Sequence, residues 1–497
     1  MTHGPALPLA TRVAYGVGAL AEGTKNGVFE FFLFFYYTQV LGLSGTLAGA
    51  AMMIALVADA VTDPLVGSLS DSTRSRLGRR HPYLYAAAPP MALSFALLFR
   101  PPDGLDQLGL FAWLTTFAVL VRFAMTLYFV PHMALGAELS SDYRERTSIV
   151  AVRSFFGLVG GIGAPILGLA VWFRSTPEQP NGQLEAAAYP GFAAVLAVGM
   201  ALAIWASALG THHRIPTLVR PSGGHESFST GRLLREVREA LASPSFRALF
   251  LGVVVFFVMR GVQNALGLHM GTYFWRVTSE EILQLAVGTA LGVVAGLPVW
   301  TLVARRLDKK PTFLLGVAGF SAFVLLPPCL QLLGAWPAHG SPVYVPSLVA
   351  ASALAAFFAA AAIVTAGSMM ADVADEHELA TGRRQEGVLF GAQSLAAKSA
   401  SGLGHQIAGV GLDLIAFPAG AAAGAVGSPQ VLGLGLLAGP GVGALAIVAI
   451  ALLWGYRLDR ERHAAIVRAL DERRRSAGAR LRDEPAFPAP DPVHAPQ

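Results

Sequence analysis

The sequence predicts an all-α membrane protein of about twelve spanning helices, arranged as two six-helix halves with both termini cytoplasmic. Three observations carry this reading. Of 497 residues, 54% are hydrophobic and 13% charged, at a mean hydropathy of +0.55, whereas soluble domains carry roughly 25% charged residues. The apolar residues come in blocks such as 83–99 and 431–454, long enough to approach the ~20 residues a spanning helix needs. The two halves also repeat each other's loop signals.

In chain order the apolar blocks fall at 12–40, 44–70, 83–100, 108–136, 147–173 and 190–210, then at 246–275, 281–304, 312–334, 344–371, 387–415 and 431–455. The polar stretch between the sets holds Pro216, Pro221, Ser222, Gly223 and Gly224, then Arg232, Arg235, Glu236, Arg238 and Glu239. It reads as a flexible linker running into a short surface helix. The expected organisation is a first bundle at 1–210, a cytoplasmic linker at 211–245, a second bundle at 246–455 and a cytoplasmic tail at 456–497. The tail is arginine-rich and expected to be helical at first; from Pro485 it is Pro-rich and expected to be disordered. Residues 1–11 lack the basic region of a cleavable signal peptide.

Basic residues set the orientation. Arg12, Arg74, Arg76, Arg79, Arg80, Arg144, Arg146, Arg305, Arg306, Lys309, Lys310, Arg383 and Arg384 share one side with the arginines of the linker and tail. The opposite side holds Arg100, Arg174 and Arg276. The positive net charge of +5 therefore reports topology, not a nucleic-acid surface. Cys329 is the single cysteine and can form neither an internal disulfide nor a thiolate metal site. Scarce lysine beside abundant Arg, Ala and Gly points to a GC-rich bacterial genome.

The loop at 71–82 has its counterpart at 305–311, and Ala137-Glu138 to Asp142, ending the fourth span, has its counterpart at Ala371-Asp372 to Asp375, ending the tenth. Two related six-span halves describe a secondary transporter built from repeats.

Charges inside such blocks are costly and usually face a cavity. Asp59 and Asp63 stand four residues apart before Pro64 in the second block, so they share a helical face. Two carboxylates that close need a cation or a proton, which suits a Na⁺ or H⁺ site with Thr62 and a neighbouring hydroxyl as further ligands. The alternative is that basic residues simply glue them to other helices. Arg153 and Lys398, one from each half, could bind substrate hydroxyls or an anionic group, or pair with the aspartates; Arg153 could also snorkel. Glu22, Lys25, Asn26 and Glu30 form one polar stripe, read either as cavity lining or as a local Glu22–Lys25 pair. Arg260, Gln263, Asn264, His269, Tyr273 and Trp275 enrich the seventh block, the last two fitting an interfacial aromatic belt. His132, His269 and His405 are too scattered for a metal site. An inner gate would pair Asp71, Arg74, Arg79 and Arg80 with Glu138, Asp142, Arg144 and Arg146, and Asp372, Asp375, Glu378 and Arg383 among themselves.

These residues carry a resemblance. Tyr15-Gly-Val-Gly, Tyr36-Tyr37-Thr38, Asp59-x-x-x-Asp63-Pro64-x-x-Gly67, Thr73-Arg-Ser-Arg76, Arg153-Ser-Phe-Phe156-Gly157 and Gln393 to Lys398 are similar to the glycoside–pentoside–hexuronide:cation symporters, the melibiose-permease group of the major facilitator superfamily. The resemblance implies Na⁺, Li⁺ or H⁺ coupling at Asp59 and Asp63, with Thr126 as hydroxyl ligand and Arg153 and Lys398 near substrate. It also carries departures. Gly23, Phe129 and Met133 stand where the melibiose permeases have a sugar-binding aspartate, a shared aspartate and a stacking tryptophan. The same branch includes lysolipid symporters. The expected protein is a monomeric, inner-membrane symporter for a glycoside, uronide or related polar metabolite, with no cofactor beyond the coupling ion. The rival reading, a Mg²⁺-dependent prenyltransferase, needs a second aspartate pair on the same cavity, and Asp372 with Asp375 is the only candidate.

Overall fold

The computed structural model describes residues 7–140, 142–218, 238–383 and 386–483. Most of the expected linker and the Pro-rich end of the tail, with Arg384, lie outside these. The described chain is helical throughout its apolar blocks. Span α1 covers 9–40, as helices Leu9–Val17 and Ala19–Val28 followed by π-helical turns at Phe29–Leu33 and Tyr36–Val40. Then come α2 (Gly45–Ser72), α3 (His81–Leu98), α4 (Gln107–Glu138), α5 (Tyr143–Leu167) and α6 (Ala188–His212). The second set is α7 (Pro244–His269), α8 (Ser279–Arg306), α9 (Lys309–Leu332), α10 (Tyr344–Thr381), α11 (Glu386–Leu414) and α12, which runs from Ser428–Leu436 through a π turn to Val442–Trp454. The tail begins with α13 (Arg460–Asp483).

Polar residues at the block edges start these helices by accepting the first free backbone N–H groups. Ser44 caps α2, Asp106 α4, Asp142 α5, Ser243 α7 and Asp308 α9, while Thr278 and Glu281 form a capping box on α8. Left-handed Gly382 (φ 71°) ends α10, ten residues beyond the expected boundary. That extension is the charged stretch Asp372 to Thr381, which docks on α13 instead of forming a loop.

α1 packs on α5 and α6, α2 on α4, and α3 on α4 and α6; in the second set α10 packs on α8 and α9, and α7 on α11 and α12. The sets meet along α2 and α11. Glycines allow that approach: a Cβ on Gly45 would stand 2.4 Å from the Gly409 oxygen, and one on Gly409 2.0 Å from the Gly45 oxygen.

Hydrogen bonds that cross between the sets lie, among the described residues, at mid-membrane depth or the outer end. Asp413 of α11 caps α2, accepting from Gly45 N (3.0 Å) and Thr46 N (2.8 Å). Thr38 meets His269 at 3.1 Å, and Gln183 donates to Thr272 at 3.0 Å. Tyr273 donates to Gln39 (3.0 Å) and to the Ala421 carbonyl (2.7 Å). Tyr273 and Trp275, expected in an interfacial belt, are instead 1% and 7% exposed: Tyr273 hydrogen-bonds across this seam, and Trp275 packs on Phe274 and Trp336. Among the described residues, these bonds close the outer end.

Candidate functional site

Along α2, Asp59 and Asp63 turn the same face toward α4, as their spacing requires. The Thr126 hydroxyl of α4 lies 2.9 Å from an oxygen of each. From α11 the Lys398 ammonium reaches Asp59 at 3.1 Å and Asp63 at 2.5 Å. Arg122, one turn before Thr126, is 3.4 Å from Asp59. Asp59 is 5% exposed, while the Asp63 and Lys398 side chains are 30% and 35% exposed. A hydroxyl donates one proton. Thr126 can therefore satisfy one carboxylate only, and its second short contact requires a proton or cation on the other acid. Lys398 occupies the place where a positive partner is needed.

Asp59 and Lys398 line a cavity of about 240 Å³ between α1, α2, α4, α7 and α11, and Asp63 joins it through its ion pair with Lys398. The stripe of α1 lines it and is also paired internally: Lys25 bridges Glu22 at 3.1 Å, and Asn26 donates to Glu22 at 3.0 Å. Both readings of that stripe hold together. Glu30 accepts from Asn264 of α7 at 3.0 Å. Glu30, Arg260 and Asn264 also line an adjoining cavity of about 290 Å³, and beyond Phe31 and Gln263 lies an apolar one of about 230 Å³ toward the outer end.

Three expected site residues are placed elsewhere. Thr62 donates to the Asp59 carbonyl of its own helix at 3.2 Å; one position from Asp63, it is rotated about 100° off the carboxylate face. Arg153 contacts the Met133 sulfur, and neither lines the cavity that holds Lys25, Asn26 and Lys398. A Cβ on Gly23 would be 2.0 Å from the Gly157 oxygen and one on Gly27 2.1 Å from the Gly161 oxygen. α1 and α5 thus touch backbone to backbone where the melibiose permeases carry their aspartate, and no side chain fits.

The gate charges pair, but within each set. Glu138 accepts from Arg79 (2.8 Å) and Arg80 (3.0 Å), and Arg80 also holds Asp71 and Ser70. Asp142 caps α5 through Glu145 N at 2.9 Å, Arg146 donates to the Ser140 carbonyl at 2.7 Å, and Arg144 is exposed. None of these spans the two halves, so they stiffen each half's inner end and do not latch the halves together. Asp372 binds Lys309 at 2.7 Å, and His463 of α13 meets Asp375 at 3.1 Å. Glu378 pairs with Arg474 at 3.0 Å, and Arg383 is exposed. The tail helix supplies the partners that the sequence assigned to the loops. Asp372 and Asp375 do not line the Asp59 cavity, so the second pair that diphosphate chemistry requires is missing from it.

Sequence reasoning left two residues unassigned. His405 was one of three scattered histidines, and Arg260 one polar residue among several; both line the cavity. Asp413, near the end of α11, closes the outer seam.

An all-helical repeat fold enclosing a charged cavity at mid-membrane depth, closed outside and stiffened inside, defines a secondary transporter of the major facilitator type. A solved structure of a mutant of the nucleoside transporter NupG overlays with a TM-score of 0.61 at 13% identity, covering 89% of this chain and 99% of that one. The family model described as MFS/sugar transport protein matches residues 14–460. The chain belongs to that family, the glycoside–pentoside–hexuronide symporters, and is a transporter, not an enzyme. It is 26% identical over 487 residues to an uncharacterized symporter of Synechocystis (83% of this chain, 86% of that one). It is 24% identical over 471 residues to the glucuronide carrier protein homolog of Escherichia coli (94% and 96%). The sodium-dependent lysophosphatidylcholine symporter 1 of Mus musculus is 24% identical over 395 residues (75% and 71%).

Proposed function

We propose that this protein is a monomeric symporter of the bacterial cytoplasmic membrane that couples uptake of a glycoside, uronide or related polar metabolite to Na⁺ or H⁺, with Li⁺ as a substitute. The bundles 1–210 and 246–455 rock about the cavity, and the linker 211–245 and tail 456–497 lie on the cytoplasmic side. The observation that carries this reading is the aspartate pair sharing one hydroxyl proton, with Lys398 as its removable positive partner. A cation arriving at Asp59, Asp63 and Thr126 displaces the Lys398 ammonium, which turns to the substrate. Cation and substrate then favour each other's binding by the same factor.

The test is uptake into proteoliposomes under imposed Na⁺ or H⁺ gradients, with labelled glycosides and glucuronides. Accumulation above equilibrium with one gradient supports symport; equilibration only, under every gradient, would sink it. A second reading, transport of a lysolipid, rests on the apolar cavity adjoining the charged one and on the mouse relative. Lysolipid uptake with no sugar uptake would favour it.

A further inference from the structure

Arg260 is the one basic residue of the cavity lining that, among the described residues, makes no hydrogen bond and no ion pair within 4 Å. Lys25 is held by Glu22, and Arg122 and Lys398 by Asp59. Arg260 instead lies over the Phe320 ring at 5.4 Å from its centroid. Its guanidinium borders both the charged cavity and the adjoining one. A planar, permanently charged fork stacked on a ring keeps its N–H edges free, and those edges match the oxygens of a carboxylate, sulfate or phosphate.

Two further orphans line the two cavities that Arg260 borders, His405 the charged one and Gln263 the adjoining one. His405 is 1% exposed and lines the cavity. Its Nδ1 lies 2.9 Å from the Ser401 carbonyl, and its Nε2 has no partner. A carbonyl only accepts, so in the neutral ring the proton sits on Nδ1 and Nε2 is left as an unused acceptor. The Gln263 side-chain oxygen is likewise buried without a partner. Close packing sets α7 against α11 here: a Cβ on Gly261 would lie 2.5 Å from the Ser401 oxygen, and one on Gly404 2.7 Å from Gly261. Buried polar groups normally find partners. A donor fork and two acceptors left open on facing helices describe a binding site waiting for a ligand that carries both an oxyanion and hydroxyls.

Charge balance agrees. Glu22, Glu30 and Asp59 of the lining, with Asp63 paired to Lys398 beside it, match Lys25, Arg122, Arg260 and Lys398. An anion entering alone would break that balance, whereas an anion entering with a cation keeps it.

We infer that Arg260, with His405 and Gln263, is a substrate subsite: Arg260 donates to the oxyanion of the transported molecule, and His405 and Gln263 accept from its hydroxyls. The cargo is therefore an anion, with its charged group in the second half and the coupling cation in the first. This rests on the symport reading above.

The experiment measures binding of matched probes to the purified full-length protein in nanodiscs at saturating Na⁺ and pH 6 to 7. One pair is p-nitrophenyl β-D-glucuronide against p-nitrophenyl β-D-glucoside. The other is oleoyl lysophosphatidic acid against monooleoylglycerol. The charged member of one pair should bind about 10- to 100-fold tighter, the range of a charge-assisted contact. Which pair shows the preference tells a uronide from a lipid phosphate. In Arg260→Gln the ratio should collapse toward one, and Arg260→Lys should restore part of it. Equal affinities within both pairs in the wild type overturn the subsite without needing any variant to fold, as does binding of none of the four probes or an Arg260→Gln ratio matching the wild type. Gradient-driven uptake of the neutral glucoside with a ratio of one would sink this inference and leave the symport reading standing.

Discussion

Replacing Gly409 by alanine should hold the transporter open to the outside. The new Cβ would lie 2.0 Å from the Gly45 oxygen and 2.6 Å from its carbonyl carbon. Ordinary contact begins near 3.4 Å, so α2 and α11 must part by about 1.4 Å, and neither obstacle is a side chain that can swing aside. One turn further on, the bonds from Gly45 and Thr46 to Asp413, now 3.0 and 2.8 Å, would stretch beyond hydrogen-bonding range. Overpacking costs about 1–3 kcal/mol. Alternating access separates these helices outside, so the cost falls on the outside-closed state alone and shifts the equilibrium roughly 5- to 150-fold. The assay uses Thr46→Cys in a Cys329→Ala background, which removes the single native cysteine. Labelling by a membrane-impermeant maleimide in right-side-out vesicles should accelerate at least ~5-fold with Gly409→Ala. A wild-type labelling rate in a normally folded variant would refute the seam.

Thr126→Val removes the hydroxyl both aspartates use, and the cation concentration for half-maximal transport should rise about tenfold; an unchanged value would take Thr126 out of the site. Lys398→Ala leaves the aspartates without their ammonium, so Na⁺ or acid pH should raise the melting temperature more than in the wild type, and equal increments would contradict displacement. Arg80→Ala strips Glu138, Asp71 and Ser70 of a shared donor and should cost about 1.5–3 kcal/mol of stability, read by thermal unfolding; a loss under ~0.5 kcal/mol would mean Arg79 suffices.

The spans were legible because membrane helices satisfy their own backbone and must be apolar over a fixed length. Asp59 and Asp63 were legible because a four-residue spacing settles which face they share. What the sequence left open depends on helices far apart in the chain. Nothing local says that Asp413 reaches the start of α2, or that His463 and Arg474 of the tail answer the acids ending α10. Thr62 shows the limit of proximity: next to a ligand in sequence, it lies on another face. Arg153, expected near substrate both from its place in the first half and from the resemblance, contacts Met133 instead and lies outside the cavity lining. Arg260 and His405 stood out only once their neighbours proved unable to satisfy them.

The central claim is that Asp59 and Asp63 tie substrate movement to a cation. It is tested most directly by comparing gradient-driven accumulation with equilibrium exchange in proteoliposomes carrying Asp59→Asn or Asp63→Asn. Exchange should persist in both variants while accumulation under either gradient vanishes; accumulation at the wild-type level in either would place the coupling elsewhere.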